Sequence, residues 1–499
     1  MSASKEKKLR REQREEGVEK RQVAQKDYAA GKKRSRIITT VVSIVVVVAI
    51  IAVIVLNSSL FYTKVAAVRI GDESYTAAEF NYYYFNEYYN MVNTYGNYLS
   101  YFGLDTSKPL KDQQYANDKT WADYFTDNAI SRMQKVQLLC DEAEKNGFVL
   151  PEKYQNTVSD SLSEMTESAG EYGFDNLEQY VTRIYGRGVD VELVTELMDR
   201  SVLASAYEEY LYNSYEYSQD ELEAYYQENA DTYDYLSYVY YFCDGAADED
   251  AGIDEETAMA NAKALAESIL EGAADEDTFK ARVLELTGEE AKESRTQGNS
   301  VTTLYSEFIL SADREYGDTT LIESDYGWHA VMFLERDDNH YNTVAARHIL
   351  IKAEASEDGT YTEEAKKAAL EKIEEIRDEY EAGDKTEESF AALAEQYSED
   401  AGSNTNGGLY EGIYKNQMVT EFNDFCFEAD RKPGDVGIVY GESTSYAGYH
   451  LVYFVGTEDS LYSDQLADTA MRTNEYNAWE EAALESYGTS KGFAMRFAR

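Results

Sequence analysis

The sequence predicts an α+β protein: two similar α/β domains attached to a mostly helical domain, with one N-terminal transmembrane helix. Three observations predict this fold class. A 20-residue run near the N-terminus has no charged residue, a long tyrosine-rich stretch has helical spacing, and a strand–helix–helix–strand pattern occurs twice at a period of about 110 residues. Hydrophobic residues make up 43% of the 499 positions, so the chain can bury several cores.

The uncharged run covers residues 37–56 and follows four basic residues between positions 32 and 36. Twenty residues of helix span about 30 Å, the thickness of the hydrocarbon core of a bilayer. The positive-inside rule therefore predicts that residues 1–36 are a basic cytoplasmic segment and that the chain beyond residue 56 is extracytoplasmic. The alternative is a cleaved secretory signal. The length of the run and the lack of an A-x-A site at its end favour an uncleaved anchor.

Charge and cysteine content exclude several classes of protein. Residues 1–36 have a net charge of +7, whereas residues 57–499 carry 33 basic and 89 acidic residues, a net charge of −56. So acidic a surface repels phosphates, which argues against a nucleic acid partner. The three cysteines, Cys140, Cys243 and Cys426, are odd in number and far apart. They predict neither a disulfide framework nor a CxxC metal site.

Residues 65–235 are expected to form the helical domain. Thr76 with Glu79, and Ser218 with Glu221, have the spacing of capping boxes that begin helices. Nine tyrosines lie between positions 75 and 101. They are interpreted either as a client-binding surface or as the core of the helical domain, and the general tendency of aromatic side chains to be buried favours the core.

The repeated pattern predicts two domains, at residues 236–337 and 344–456, followed by a C-terminal helix within 457–499. Each repeat starts with a short strand, continues with an acidic loop and two helices, and ends with a Gly-Asp pair and a last strand. Phe279 and Phe390 open the second helix of the two repeats. Strands that alternate with helices over this length are typical of a compact α+β domain.

Two of the four histidines in the chain, His348 and His450, fall on the first and last strands of the second repeat. These strands are neighbours in many single-sheet domains, which would bring both imidazoles to one site. Between them lies a loop with four glycines at 397–412, which must carry the chain tightly around a pocket. Met418 and Phe422 follow at i, i+4 and are predicted to share one helical face.

The motifs ARHIL, FAALAEQYSEDAGSNTNGG, QMVTEF, PGD and GYH occur in this order over residues 345–456. In this region the chain resembles parvulin-type peptidyl-prolyl isomerases. The resemblance implies isomerisation of X–Pro bonds without a metal or cofactor. The residues it implies are the paired His348 and His450, the loop acid Asp400, the proline pocket of Met418 and Phe422, and the hydroxyl of Ser445.

Two departures from the family pattern affect the pocket wall. Tyr410 stands where the family usually has leucine, and Glu411-Gly412 replaces a glycine–aromatic pair. These departures therefore concern substrate preference rather than the reaction. The chemistry itself needs only an apolar pocket that grips the proline ring and excludes water, because a twisted amide is less polar than a planar one.

Each of these residues also has a structural interpretation. A histidine in a strand is commonly a satisfied core residue, Met418 and Phe422 suit an ordinary core, and Asp400 before Ala-Gly suits a turn. The paired histidines with the glycine loop between them favour the functional interpretation. Histidine spacing of the HxxxH type is absent from the sequence, so a metal site is not predicted.

The first repeat is predicted to be degenerate. It keeps His329 at the position of His450 and, in this alignment, Phe308 at the position of Phe422. Tyr238 is expected to replace His348 and Leu304 to replace Met418, and the glycine loop is reduced to residues 295–301. With one histidine and the loop lost, this repeat is expected to bind or to act as a spacer rather than to catalyse.

The flanking segments are similar to exported foldases of the PrsA/SurA class, in which both chain ends form a helical chaperone domain. The resemblance implies a membrane-anchored foldase and chaperone whose partners are unfolded exported proteins, with a homodimer as one oligomeric state. The main alternative is a non-catalytic holdase. A third possibility, a structural protein bound to the cell wall, has no supporting motif in the sequence.

Overall fold

Contacts within the chain define two units. The computed structural model describes residues 3–57, 59–248, 250–356, 359–443 and 446–498. One unit comprises Met1–Ser214 with Glu475–Arg499, and the other comprises Tyr215–Asn474. The two ends of the chain therefore belong to the same unit.

The first unit is mainly helical. Its helices are α1 (Ala3–Asn57), α2 (Leu60–Thr63), α3 (Ala77–Tyr95), α4 (Trp121–Lys145), α5 (Thr157–Glu171), α6 (Leu177–Tyr185) and α7 (Val191–Ser214). The predicted capping box at Thr76 is confirmed: the Glu79 amide donates to Thr76 Oγ1 at 3.3 Å, and the Thr76 amide donates to a Glu79 carboxylate oxygen at 2.6 Å. These bonds satisfy amides that the first turn of α3 leaves without helical partners.

A small sheet joins the two chain ends within this unit. Its strands are β1 (Ala66–Ile70), β2 (Glu73–Thr76) and β13 (Thr489–Lys491), in the order β13-β1-β2, and β3 (Gln114–Ala116) pairs separately with β4 (Lys119–Thr120). Val68 lies opposite Lys491. The tyrosines between positions 75 and 101 include two contrasting groups. Tyr82, Tyr83 and Tyr84 are core residues, as favoured from the sequence, whereas Tyr98 and Tyr101 beyond the helix are exposed.

Helix α1 contains one segment that is long and apolar enough to cross a membrane. This segment is Gly31–Ile51, with a mean hydropathy of 2.1. It begins six residues before the predicted 37–56 run, because the helix continues through the basic residues. The criterion is one of length and composition, and a signal sequence near the N-terminus satisfies it too.

The second unit contains two four-stranded antiparallel sheets with the same strand order. Its strands are β5 (Tyr235–Asp244), β6 (Lys292–Gln297), β7 (Thr319–Ser324), β8 (Gly327–Asp337), β9 (Asn342–Lys352), β10 (Leu409–Ile413), β11 (Val436–Glu442) and β12 (Ala447–Leu461). The orders are β6-β5-β8-β7 and β10-β9-β12-β11. The first and last long strands of each repeat are therefore neighbours at the centre of a sheet, as expected for β9 and β12.

The helices of this unit cover both faces of the sheets. They are α8 (Gln219–Glu228), α9 (Ala230–Tyr233), α10 (Glu255–Leu270), α11 (Glu276–Thr287), α12 (Thr303–Ile309), α13 (Glu363–Ala382), α14 (Glu387–Tyr397), α15 (Thr420–Phe427) and α16, which spans Tyr462–Leu484 and continues into the first unit. In the second sheet, Ile349 and Ile351 pack against α13 and α14, while Val344 and Ala346 pack against α15. Because strand side chains alternate between faces, the even-numbered residues of β9, including His348, project towards α15.

Candidate active site

The two histidines of the second sheet meet on its α15 face. In the antiparallel β9–β12 pair, His348 lies opposite Val452 and His450 lies opposite Leu350, so the two imidazoles are diagonal neighbours. Their Nδ1 atoms are 2.9 Å apart, and the rings are nearly parallel at 15° with centroids 5.2 Å apart. Both side chains are buried. The pairing inferred from the two strand ends is therefore present in the structure.

A hydrogen-bonded chain links both rings to Asp400 and to Tyr446. His348 Nε2 lies 2.9 Å from Asp400 Oδ2, and an ionised carboxylate only accepts, so this nitrogen carries the proton. His348 Nδ1 must then accept from the Nδ1–H of His450. That leaves His450 Nε2 as an acceptor for the Tyr446 hydroxyl, at 2.9 Å. This proton pattern is assigned from the bonding partners and applies to singly protonated rings.

Electrostatics favour an ionised Asp400 and a neutral His450. The hydrogen bond from His348, assisted by one from Ser403, lowers the pKa of Asp400 well below its usual range although partial burial opposes the shift. Burial lowers the pKa of His450 to about 3, and the neighbouring His348 contributes to the same shift. At neutral pH the site therefore combines one ionised carboxylate with a neutral His450.

The Oδ2 atom of Asp400 accepts three hydrogen bonds from the protein. This atom accepts hydrogen bonds from His348 Nε2, from Ser403 Oγ at 2.6 Å and from the Tyr410 hydroxyl at 3.0 Å. Oδ1 accepts from the Gly402 amide at 3.2 Å. Four donors of the protein thus hold the carboxylate, and one of them is the ring of His348.

The loop that supplies Asp400 is shaped by two glycines. Gly407 and Gly408 have φ values of 71° and 73°, a region that side chains disfavour. A Cβ on Gly408 would lie 2.2 Å from the carbonyl oxygen of His348, and one on Gly407 would lie 2.6 Å from Cβ of Ala391. The His348 amide donates to the Gly408 carbonyl at 2.9 Å. This close approach to β9 brings Asp400 within reach of the histidine.

Phe422 forms the apolar floor under the two imidazoles. It is 2% exposed, and its ring meets those of His348 and His450 edge-on at centroid distances of 5.6 and 5.7 Å. Met418 packs on the same apolar cluster from its rim. The prediction that Met418 and Phe422 share a helical face is wrong, because α15 begins only at Thr420.

A turn before α15 explains this difference. Asn416 has a φ of 65°, and its amide donates to the Asn423 side chain at 2.7 Å. The Gln417 amide donates to the Tyr414 carbonyl at 3.2 Å. These bonds hold the chain in a turn up to Met418, so the i, i+4 spacing of the sequence does not describe a helix at this point.

Two site residues were missed by the sequence analysis, and one predicted residue cannot be placed. Ser403, fully buried, bonds both His348 and Asp400, and Tyr446 caps His450. Ser445, predicted to supply a hydroxyl, lies outside the described residues. The only available signals were a serine within the glycine loop and a tyrosine four residues before a histidine. Tyr410, noted as a departure from the family pattern, lies within the site.

The first sheet keeps one histidine in an equivalent place. The Gly-aromatic-His motif that opens β8 aligns His329 with His450 of β12. The pairing of β5 with β8 then makes Tyr240 the counterpart of His348, so the prediction of Tyr238 is wrong by two residues. Both tyrosines lie on the same face of β5, and a two-residue slip leaves the alternation of a strand unchanged.

A tyrosine of α12 occupies the place of Phe422. Tyr305 is buried in the apolar cluster of the first sheet, as Phe422 is in the second. The predicted counterpart, Phe308, is only half-buried and lies under an arginine, as Phe425 does in the second repeat. The alignment that placed Phe308 at the position of Phe422 is therefore one helical turn out of register. The Tyr305 hydroxyl bonds His329 Nδ1 at 2.8 Å, where His450 bonds its partner histidine.

Two further differences separate the repeats. Leu304, predicted to replace Met418, is exposed, and Val301 instead occupies the equivalent rim position of the apolar cluster. The connection from α11 to β6 spans residues 288–291, whereas the connection from α14 to β10 spans 398–408. The first repeat therefore has no segment equivalent to the one that carries Asp400 and Ser403. Among the described residues, no group of three or more His, Cys, Asp or Glu side chains is arranged to hold a metal ion.

Comparisons with known proteins agree with this geometry. Residues 332–456 match the family described as PPIC-type PPIASE domain, beginning within β8. Foldase protein PrsA 3 of Bacillus anthracis is 28% identical over 138 residues, which cover 28% of this chain and 40% of that protein. Chaperone SurA of Pseudomonas fluorescens is 33% identical over 138 residues, covering 27% and 29%. The alignments thus span less than half of either relative.

A crystal structure of PrsA from Bacillus subtilis shares 13% identity, covers 76% of this chain and 89% of that chain, and has a TM-score of 0.29. The family match contains every residue of the histidine network. This chain therefore carries a parvulin-type peptidyl-prolyl isomerase domain at residues 332–456 and is similar to the PrsA and SurA foldases and chaperones.

Proposed function

We propose that this chain is a membrane-anchored foldase that catalyses cis/trans isomerisation of X–Pro bonds in exported polypeptides. Residues 344–456 form the catalytic domain in this proposal. The observation that carries it is the directed network from Tyr446 through His450 and His348 to Asp400, above the apolar floor of Phe422. A structural histidine pair would not need a half-buried carboxylate fixed by three side-chain and backbone donors in addition to the imidazole.

The reaction suits a site of this polarity. Rotation about the X–Pro bond must overcome a barrier of roughly 18–20 kcal/mol because amide resonance is lost. The twisted amide has less charge separation than the planar one, so an apolar, water-poor surface stabilises it relative to bulk water. Phe422 and Met418 supply that surface, and a neutral His450 avoids the desolvation cost of a buried cation.

Asp400 acts on His348 rather than on the substrate in this mechanism. Its Oδ2 already accepts three hydrogen bonds and its Oδ1 one from the protein, so its role is to orient the histidines. Tyr410 replaces an apolar residue of the family pattern with a hydroxyl that bonds this carboxylate. It stiffens the network and narrows the rim of the pocket.

The other segments complete the proposal. Residues 236–337 are an inactive parvulin-like domain, and residues 65–235 with 457–499 form a helical domain that holds unfolded chains. Segment 37–56 of α1 anchors the protein, with residues 1–36 in the cytoplasm and the remainder outside. External protease on intact cells should digest the chain beyond about residue 60 and leave residues 1–36 intact. Protection of the catalytic domain would contradict this topology.

Catalysis is tested with the full chain in lipid nanodiscs and a short X–Pro peptide, by exchange spectroscopy of the two isomers. We expect the enzyme to accelerate interconversion, which is slow without a catalyst. If the protein suppresses aggregation of unfolded chains but leaves the exchange rate unchanged, it is a holdase with a parvulin shape.

A further inference from the structure

An uncharged aromatic segment interrupts the otherwise acidic first unit. Residues 88–104 contain no charged residue, although 28% of the chain is charged. Six of these 17 residues are tyrosine or phenylalanine. The segment begins in the second half of α3 and continues through the 3₁₀ helix Gly96–Phe102. The proposed isomerase site lies in the other unit and uses none of these residues.

The 3₁₀ helix presents two tyrosines on one side, because three residues per turn place Tyr98 and Tyr101 in line. Tyr95, the last residue of α3, directly precedes this helix, and we call these three residues the tyrosine stripe. Tyr98 and Tyr101 are 67% and 84% exposed, with ring centroids 6.1 Å apart. Leu99 and Leu104 are buried and hold the segment against the core. The stripe is thus presented by an anchored element.

A cavity lies beside the same helix, shortly before the stripe. It has a volume of about 430 Å³ and is lined by tyrosines and amides, including Tyr89, Tyr172, Tyr180 and Asn93. The rings of Tyr172 and Tyr180 are nearly parallel at 11°, with centroids 6.2 Å apart. Aromatic walls with amide groups suit apolar side chains together with the peptide groups that accompany them.

We propose that the tyrosine stripe and this cavity bind an extended, apolar segment of an unfolded polypeptide that lacks acidic residues. Tyrosine offers a large contact area at low conformational cost and tolerates varied sequences. The net charge of −56 on residues 57–499 repels acidic chains and attracts basic ones, whereas the uncharged segment removes local repulsion. This inference rests on the proposed foldase function and assigns client binding to a surface separate from the isomerase site.

Two other occupants fit the structure less well. Tyr62 and Thr63 of α2, which follows the candidate membrane span, adjoin Gly188 together with Ala78 in the first turn of α3. The stripe is at the opposite end of this 19-residue helix, about 28 Å away, which disfavours contact with the bilayer surface. A second copy is disfavoured because a few exposed aromatic side chains bury roughly 400–600 Å², less than the about 800 Å² per partner of a stable interface.

The test uses the full chain in zwitterionic nanodiscs and a labelled peptide of alternating leucine and serine, with terminal lysines and no proline. The double variant Tyr98→Ser/Tyr101→Ser should weaken peptide binding at least tenfold. Tyr326→Ser, at an equally exposed tyrosine in the turn between β7 and β8, should change it less than twofold. Isomerisation of an X–Pro peptide should be the same in all three proteins.

Unchanged peptide affinity in the double variant overturns the proposal. Absence of isomerisation in the unmodified chain would refute the proposed function instead, so the two failures are distinguishable. A thiol-reactive dye attaches at Tyr101→Cys, because the three native cysteines are buried. Its emission then reports what binds to the tyrosine stripe. A shift in dye emission on peptide addition supports the proposal. A shift on transfer from detergent to nanodiscs assigns the stripe to lipid and overturns the proposal. A shift on raising the protein concentration assigns the stripe to a second copy and overturns it as well.

Discussion

The two repeats form separate sheets with the same strand order, and each keeps a histidine at an equivalent position. They differ in the side chains that contact this histidine. In the second repeat, His450 bonds another histidine, which a loop carboxylate holds. In the first, His329 bonds the Tyr305 hydroxyl, and the ring of Tyr305 fills the place of Phe422. The same backbone therefore supports a polar network above an apolar floor in one case and a closed aromatic cluster in the other.

The comparison separates the requirements of the fold from those of the site. Both sheets keep their strand order because alternating apolar residues bury each central strand between helices. The network additionally needs the connection at 398–408, a second histidine and two glycines that let the loop touch β9. Without this loop, the first repeat lacks the carboxylate, although its apolar core is complete.

The largest effect is expected from truncating the residues under the histidines. Phe422→Ala and Tyr305→Ala should each reduce the free energy of unfolding by roughly 3–5 kcal/mol, because both remove a buried ring. Only Phe422→Ala should also lower kcat/KM, per folded molecule, since only it lies under the histidine pair. Chemical unfolding and isomerisation assays measure the two effects. An equal loss of kcat/KM in Tyr305→Ala would show that the first repeat takes part in catalysis.

Glycine substitutions should sharpen the difference between the loops. Gly408→Ala places a Cβ 2.2 Å from the His348 carbonyl, and Gly298→Ala in the first repeat places one 2.0 Å from the Asp231 carbonyl. Both clash with backbone, so we expect each to lose about 1–3 kcal/mol of stability. Gly408→Ala should also displace Asp400 and reduce isomerisation at least tenfold, while Gly298→Ala should not. Circular dichroism and activity distinguish them, and normal activity in folded Gly408→Ala contradicts the role of the loop.

Acid should destabilise the second repeat through His450. Its folded pKa of about 3 lies below the unfolded value near 6.5, so between these values the unfolded chain binds a proton that the folded chain does not. Stability therefore falls as pH drops from 7 to 5, by up to about 1.4 kcal/mol per pH unit. His450→Asn should remove this slope in urea titrations. A slope that persists unchanged would place the proton uptake elsewhere.

The smallest effect is expected at the outer end of the network. Tyr446→Phe removes the donor to His450 Nε2 and should cost about 0.5–1.5 kcal/mol of stability with a few-fold loss of kcat/KM. Ser324→Ala is the matched change in the first repeat, where the serine hydroxyl lies 3.3 Å from His329 Nε2. It should leave isomerisation unchanged. Identical activity of the Tyr446→Phe protein and the unmodified chain would remove Tyr446 from the network.

The sequence predicted those parts of the site that follow from strand order and motif. The pairing of His348 with His450 was expected because two strands at the ends of a repeat are often neighbours, whereas Asp400 was implied by the resemblance to the parvulin family. Tyr410 was singled out because it departs from a known pattern. The alternating pattern of β5 could not distinguish Tyr238 from Tyr240, because only hydrogen-bond register decides between positions on one face.

The remaining site residues depend on contacts between segments distant in sequence. Ser403 and Tyr446 gain their roles from loops that fold back on the histidines, for which no periodicity exists. The error at Met418 arose because the turn held by Asn416 and Asn423 ends just before α15. Local spacing predicts helices well when capping side chains agree, as at Thr76, and less well where a turn adjoins a short helix.

The central claim is that the histidine pair of the second repeat alone carries isomerisation, as one hydrogen-bonded unit. The direct measurement is kcat/KM of the full chain with His348→Ala, His450→Ala, both together, and His329→Ala. We predict about a tenfold loss for each of the first two, roughly 1.4 kcal/mol, and a combined loss smaller than their sum. His329→Ala should match the unmodified protein. Full activity in the folded double variant, or a loss in His329→Ala comparable to that in His450→Ala, would contradict the account.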